Sequence, residues 1–247
     1  MEKPFKIAVS NGLTAPAIQV QCPEELSTAL HELDLHSPRP ILVVVGGASK
    51  VSEADLTRLR WLFVKVLAPL AQELGASVVD GGTDVGVMQM MGQARAEIAA
   101  TFPLIGVTPV GKVALPHRIP SSSKVTALEP HHTHFVLIPG SNWGDESPWL
   151  ARVASVLANG APSVTVLVNG GEIAWKDVSE NLNAKRPLLV IAGSGRLADT
   201  LAAALRGEAT DERARKLVAS GLVQAIDLTE SFDSLTRLLK EMFSAQE

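Results

Sequence analysis

The sequence predicts an α/β protein, Rossmann-like and doubly wound, with a mostly parallel sheet and helices on both faces. Three observations predict it. Short runs of continuous aliphatic residues recur along the 247-residue chain, as strands covered on both faces require. Stretches of helical periodicity separate them, so successive strands are joined by right-handed crossovers. Glycine clusters follow the runs at residues 46–47, 81–82, 111, 140–144, 170–171 and 193–195. In such a sheet that is the carboxyl edge, where ligands bind.

The N-terminal 40 residues form a small addition to this pattern. Residues 5–10 and 17–21 are β-like runs around Asn11-Gly12, a hairpin signal. A helix opens at Pro23 and Glu24 and runs to about Asp34, and Pro38-Arg39-Pro40 breaks the chain. The main domain, 41–247, starts with the strand Ile41–Val45. A long helix follows over Glu53–Leu74, with Leu56, Leu59, Phe63, Val66, Leu67 and Leu70 on one face. Pro69 is expected to kink it and Gly75 to stop it.

Further strands are expected over Ser77–Asp80, Leu104–Thr108, His134–Ile138, Ser163–Val168, Leu188–Ala192 and Val223–Asp227. Helices are expected after residue 85, after Glu146 to Ala158, and over Glu172–Asn183, Leu197–Leu205, Asp211–Ala219 and Ser231–Phe243. Residues 112–132 form a long excursion, a length typical of a site wall or lid.

Composition narrows the function classes. A net charge of −4 argues against a nucleic-acid surface. The single cysteine, Cys22, excludes an intrachain disulfide. No signal peptide opens the sequence, and no run reaches the ~18 apolar residues of a membrane span. A soluble, cytoplasmic protein without membrane contact is expected. His131, His132 and His134 fit no regular metal spacing and have no cysteine near them, so no metal site is expected.

The chain is organised around Val78–Met91, read as strand end, Gly81-Gly82 turn and helix start. Paired glycines admit positive φ and leave room for a ligand, and free N–H groups at a helix start attract phosphate. Thr83 and Asp84 are N-cap candidates. Met88 and Met91 fall at core spacing.

The ordered set Val44-Val45-Gly46-Gly47-Ala48, Gly81-Gly82-Thr83 with Gly86-Val87-Met88, Ile105-Gly106-Val107, His132-Thr133-His134-Phe135 and Gly193-Ser194-Gly195-Arg196-Leu197-Ala198-Asp199 resembles a known domain over about residues 40–205. It is similar to the prokaryotic, LSDAT-like branch of the SLOG superfamily, related to the N-terminal cytoplasmic region of melastatin-type TRP channels. That resemblance implies a Rossmann-like domain that binds or senses a nucleotide-derived ligand, ADP-ribose- or NAD-like, with no required cofactor.

The glycine edge and the resemblance together give a candidate ligand-contacting set. It comprises Gly46, Gly47, Ala48 and Lys50 after the first core strand, and Gly81, Gly82, Thr83, Gly86, Val87 and Met88 after the second. Pro109 and Gly111 follow the third. His134, Gly140, Ser141, Gly144 and Glu146 surround the fourth, and Gly193, Ser194, Gly195, Arg196 and Asp199 follow the sixth.

For a diphosphate, the N–H groups of Gly47, Gly82 and Gly195 would form the cradle, with Lys50 and Arg196 supplying charge. Asp199 would meet a ribose hydroxyl or orient Arg196. Trp143 would stack on a base or simply anchor its loop.

The same superfamily includes the lysine-decarboxylase-like (LOG) phosphoribohydrolases, marked by Pro-Gly-Gly-x-Gly-Thr-x-x-Glu after an Arg-bearing stretch. Pro139–Glu146 is similar but departs from that spacing, and Glu129–His134 supplies no such Arg. Three readings therefore stay open: a nucleotide-ligand binder; a nucleotide N-glycosidase with Glu146 catalytic; and an assembly subunit whose glycine edge only packs. Homo-oligomers are compatible with all three, and the sequence names no effector protein.

Overall fold

The structure, a computed structural model, describes residues 3–10, 12–115 and 125–246. Its elements are β1 (Phe5–Ala8), β2 (Thr14–Gln19), α1 (Leu26–Glu32), β3 (Ile41–Gly46), α2 (Glu53–Leu62), α3 (Ala68–Glu73), β4 (Ser77–Asp80) and α4 (Gly86–Glu97). There follow β5 (Leu104–Pro109), β6 (His134–Ile138), α5 (Ser147–Ala158), β7 (Ser163–Val168), α6 (Glu172–Asn183), β8 (Leu188–Ala192), α7 (Arg196–Leu205), α8 (Glu212–Val218), β9 (Val223–Asp227) and α9 (Phe232–Ser244).

The strands form one sheet in the order β1-β2-β6-β5-β4-β3-β7-β8-β9, with β1 antiparallel to β2 and every other pair parallel. This is a Rossmann-like fold. From β3 the chain winds outward through β4, β5 and β6, then crosses back to lay β7 on the other side of β3. Strand order therefore reverses at β3, and a crevice opens there at the carboxyl edge.

Two apolar layers cover the sheet. One joins Val43, Val45 and Val190 to α1, α5, α6, α7 and α8. The other joins Val44, Val166 and Ile191 to α2, α3, α4 and α9. Alternate residues of a single strand thus feed opposite cores, as the unbroken aliphatic runs imply. The end of the sheet carrying β2 and β6 has a third cluster, in which Val113 and Leu128 cover Ala17, Phe135 and Leu137. The described flanks of the 112–132 excursion supply this cover. Residues 116–124 lie outside the described set, as does Asn11 of the hairpin signal.

The hairpin strands are displaced from 5–10 and 17–21 because the turn is tight: Gly12 N–H donates to the Val9 carbonyl and Val9 N–H to the Leu13 carbonyl. The register Ala8↔Thr14 then starts β2 before Pro16. A π-helical turn over Phe63–Leu67 separates α2 from α3, whose first turn holds Pro69. At its end the Ala68 N–H reaches back five residues to the Phe63 carbonyl.

Candidate functional site

A cavity of about 460 Å³ lies at the switch point, where the ends of β3, β4, β6 and β7 meet the starts of α4, α5, α6 and α7. Its walls are largely apolar, including Val85, Met88, Trp143, Leu150 and Ile173. Polar groups enter from Thr83, Thr126, Glu146, Glu172, Asp177 and Arg196. An apolar hollow with few converging polar groups is the usual form of a small-molecule site.

Of the sequence candidates, Gly46, Gly47, Gly81, Thr83, Met88, Glu146 and Arg196 line this cavity, and Thr126 brings the flank of the excursion into its wall. Glycine is required at position 46: its φ is +123°, and a Cβ there would lie 1.9 Å from the Val168 carbonyl oxygen. No other residue allows β3 and β7 to end so close together.

Of the three N–H groups expected to cradle a phosphate, those of Gly47 and Gly82 are engaged, and Gly195, at φ +98° before α7, does not line the cavity. Gly47 N–H already donates to the Val168 carbonyl at 3.0 Å, and Gly82 N–H to Asp80 Oδ1 at 2.7 Å. At the α7 start, Leu197 N–H donates to the Gly170 carbonyl and Ala198 N–H to that of Asn169. The organiser here is Asn169, fully buried at the end of β7. Its Nδ2 donates to the Ser194 carbonyl at 2.7 Å and the Ser49 carbonyl at 3.2 Å. Its own N–H donates to Ser194 Oγ at 2.7 Å. Ser194 is thus a strut, and the loops after β3 and β8 are tied through one side chain.

Arg196 reaches the cavity mouth, where its Nη1 donates to Ser49 Oγ at 2.7 Å and its guanidinium lies over Gly171. Asp199 neither lines the cavity nor holds Arg196. It accepts from Gly193 N–H at 2.6 Å, closing the turn before α7. Lys50 is exposed outside the cavity with φ +59°, and Ala48 packs on the α2–α4 side.

At the end of β4, neither Thr83 nor Asp84 caps α4. Val85 is the N-cap and makes no side-chain capping bond. Thr83 instead bridges to Leu128, and Asp84 Oδ1 accepts from Gln89 Nε2. Gly86 opens α4 against Gly47, while Val87 is core.

Below this turn lies a buried charged cluster. His132 Nε2 donates to Asp80 Oδ1 at 2.8 Å, and its Nδ1 donates to Glu129 Oε2 at 2.7 Å. His131 Nδ1 is 2.7 Å from Glu129 Oε1. Burial alone would lower the His132 pKa, but the Asp80 and Glu129 carboxylates raise it to about 9, so it is an imidazolium. The sequence placed His134 near the pocket. It stands at the opposite, amino end of β6, 2.7 Å from Thr133 Oγ1, with burial first among the causes that lower its pKa to about 4.

At the end of β6, Asp145 Oδ2 accepts from Ser141 and Asn142 N–H, both at 3.0 Å, and fastens the loop to itself. Pro109, Gly111, Gly140 and Ser141 pack within this turn: Gly111 N–H donates to the Gly140 carbonyl. Gly144 N–H donates to Glu146 Oε2 at 2.8 Å. Glu146 is buried, and that burial raises its pKa.

Asp177, from α6, meets Glu146 in the cavity. Burial chiefly, then the Glu146 charge, raises its pKa to about 7. Asn181 Nδ2 donates to the Asp177 carbonyl at 2.8 Å, and buried Arg186 bonds Asn181, Ser155 and Ala151, which locks α6 to α5. Glu146 and Asp177 therefore sit on two helices fixed to each other. Sequence reading missed Asp177, Asn169 and Asp80. The last of these was read only as a strand end.

A family profile described as SLOG in TRPM, prokaryote, matches residues 39–236. The chain belongs to this family. As a SLOG-type domain it is similar to parts of much longer channel proteins. It is 26% identical over 258 residues to transient receptor potential cation channel subfamily M member-like 2 of Nematostella vectensis, covering 90% of this chain and 16% of that protein. Subfamily M member 2 of Mus musculus is 24% identical over 203 residues, covering 68% of this chain and 13% of the channel. Subfamily M member 7 of Homo sapiens is 26% identical over 208 residues, with coverage of 72% and 11%.

The chain thus spans only a small fraction of each of these relatives. No helix among the described residues is long and apolar enough to cross a membrane. Among solved structures, the X-ray structure of TM1055 superposes with a TM-score of 0.54 at 19% identity, covering 82% of this SLOG domain and 99% of that chain. At that identity the match speaks for the fold.

Proposed function

We propose that the cavity binds a nucleotide-derived small molecule, ADP-ribose- or NAD-like, and that the domain is a ligand-binding or sensing module. One observation carries this reading: a single cavity at the switch point combines apolar walls, a cation at the mouth and carboxylates inside. Apolar walls with Trp143 and Met88 suit a planar base. Carboxylates accept from sugar hydroxyls, and a guanidinium grips a phosphate. Saturation-transfer NMR with ADP-ribose, NAD and AMP tests it. Transfer with unchanged ligand peaks is the expected result, and no transfer to any of the three overturns it.

A second reading, nucleotide N-glycosidase, is favoured by the Glu146–Asp177 pair. Two buried carboxyl groups with raised pKa values can divide acid and base roles in glycosidic cleavage. The same NMR samples separate the readings. Free base or ribose phosphate appearing with time, and abolished in Glu146→Gln, would replace the binder by the hydrolase.

A further inference from the structure

We infer that Asp177 is the specificity-determining residue of the cavity: it reads a sugar hydroxyl at the inner end, so the ligand enters sugar first and leaves its phosphate at Arg196. The inference rests on the reading of this cavity as a nucleotide-type site, and it adds the orientation of the ligand and the group that is recognised.

The first support is an unsatisfied group. Asp177 is 9% exposed and lines the cavity, yet its Oδ1 has no hydrogen-bond partner among the described residues. Ser147 Oγ, wholly buried beside it, faces the Asp177 carboxyl as a hydrogen-bonding neighbour and has no other partner among the described residues. Buried polar atoms are almost always paired in native folds, so a carboxylate oxygen left open on the cavity wall marks a place for a ligand's polar group.

The second is the distribution of charge. Glu146 and Asp177 are inside, and the cationic groups near them are Lys176, whose Nζ donates to the Gly144 carbonyl, and Arg196 at the mouth. A phosphate placed deep would face two carboxyl groups; a hydroxyl placed there donates to them. The amide donors of Gly47, Gly82, Leu197 and Ala198 are engaged, so these four do not draw the phosphate elsewhere. The third lining carboxylate, Glu172, is exposed and paired with Arg213 at 2.9 Å, so charge outward and sugar inward keeps the phosphate beside Arg196 and away from the two buried carboxyl groups.

The test is calorimetric titration of ADP-ribose and of two analogues, each lacking the 2-hydroxyl of one of its riboses. Wild type should bind one analogue roughly tenfold more weakly than ADP-ribose. Asp177→Ala should bring that pair within about twofold, while Asp177→Asn, which keeps an acceptor and a donor, retains most of the preference. Ser147→Ala should narrow it partly. Arg196→Ala should weaken all three ligands together and leave the ratio unchanged.

Thermal unfolding verifies that each variant is folded, and Asp177→Asn with Ser147→Ala carry the test if the alanine variant is not. Equal binding of all three ligands by wild type, or a preference that survives in Asp177→Ala, overturns the inference while leaving the binding function in place. A wild type that binds neither ADP-ribose, NAD nor AMP overturns the function itself and the inference with it.

Discussion

His132 Nε2 stands 2.8 Å from Asp80 Oδ1, with both side chains wholly shielded from water. A pairing of this kind stabilises the fold only while the imidazole is charged. Its pKa is about 9 in the fold against the model-peptide value of 6.5, so the contribution is complete below pH 6.5 and is lost as pH rises through 9. Urea unfolding at pH 6.5 and pH 9.5 should differ by up to about 3 kcal/mol in favour of the lower pH. His132→Ala should remove this part of the pH dependence, leaving the smaller one from Asp177, and cost about 3–5 kcal/mol at pH 6.5, since it strands two buried carboxylates.

Gly92 lies inside α4, where alanine ordinarily stabilises a helix by about 1 kcal/mol. Here a Cβ would fall 2.1 Å from the Glu129 carboxylate, which both His131 and His132 hold in place. Gly92→Ala should therefore destabilise by about 2–4 kcal/mol, the cost of overpacking plus a disturbed ion cluster. Denaturant unfolding gives the sign, and a histidine ring proton NMR titration should show the His132 pKa falling.

Asp177 acts in the opposite sense to an ordinary surface carboxylate. Its pKa is raised from 3.8 to about 7, so the folded state gains stability as pH falls through 7 and carries a penalty above it. Asp177→Asn should be more stable than wild type at pH 8 by about 1–3 kcal/mol, with the gap closing towards pH 4. Melting temperatures across that range measure it, and a constant gap would show that the carboxyl group is not titrating there.

Asn169→Ala removes the donor shared by the Ser49 and Ser194 carbonyls. A loss of about 2–3 kcal/mol is expected, with faster amide hydrogen exchange confined to residues 46–50 and 193–198. Uniform acceleration over the whole sheet would instead indicate a general loss of stability.

The sheet was legible because its strands announce themselves. Ile41–Val45 and Leu188–Ala192 are buried on both faces, and no polar residue interrupts them. The carboxyl-edge glycines mark the side of the sheet on which the cavity opens, but several serve backbone geometry there. Gly46 admits β7, and Gly140 and Gly111 pack one loop on another. Sequence spacing cannot separate a glycine that admits a ligand from one that admits a neighbouring strand.

Asp177 was not legible because one turn of α6 holds Lys176, Asp177 and Glu180, a pattern that reads as a solvated face. Its burial is decided by α5, which a local window does not contain. The charged cluster was hidden by distance along the chain: His132 finds Asp80 52 residues earlier.

The engaged amides at the start of α7 have a consequence for ionic strength. With the Leu197 and Ala198 donors held by carbonyls, an incoming anion meets chiefly the Arg196 guanidinium at the mouth. Counter-ions released on association would then number roughly one, since a lone exposed charge is screened over the Debye length without reinforcement. The affinity of such a pocket would fall only gently from dilute buffer to physiological salt, and its selectivity would lie in shape and hydroxyl pairing.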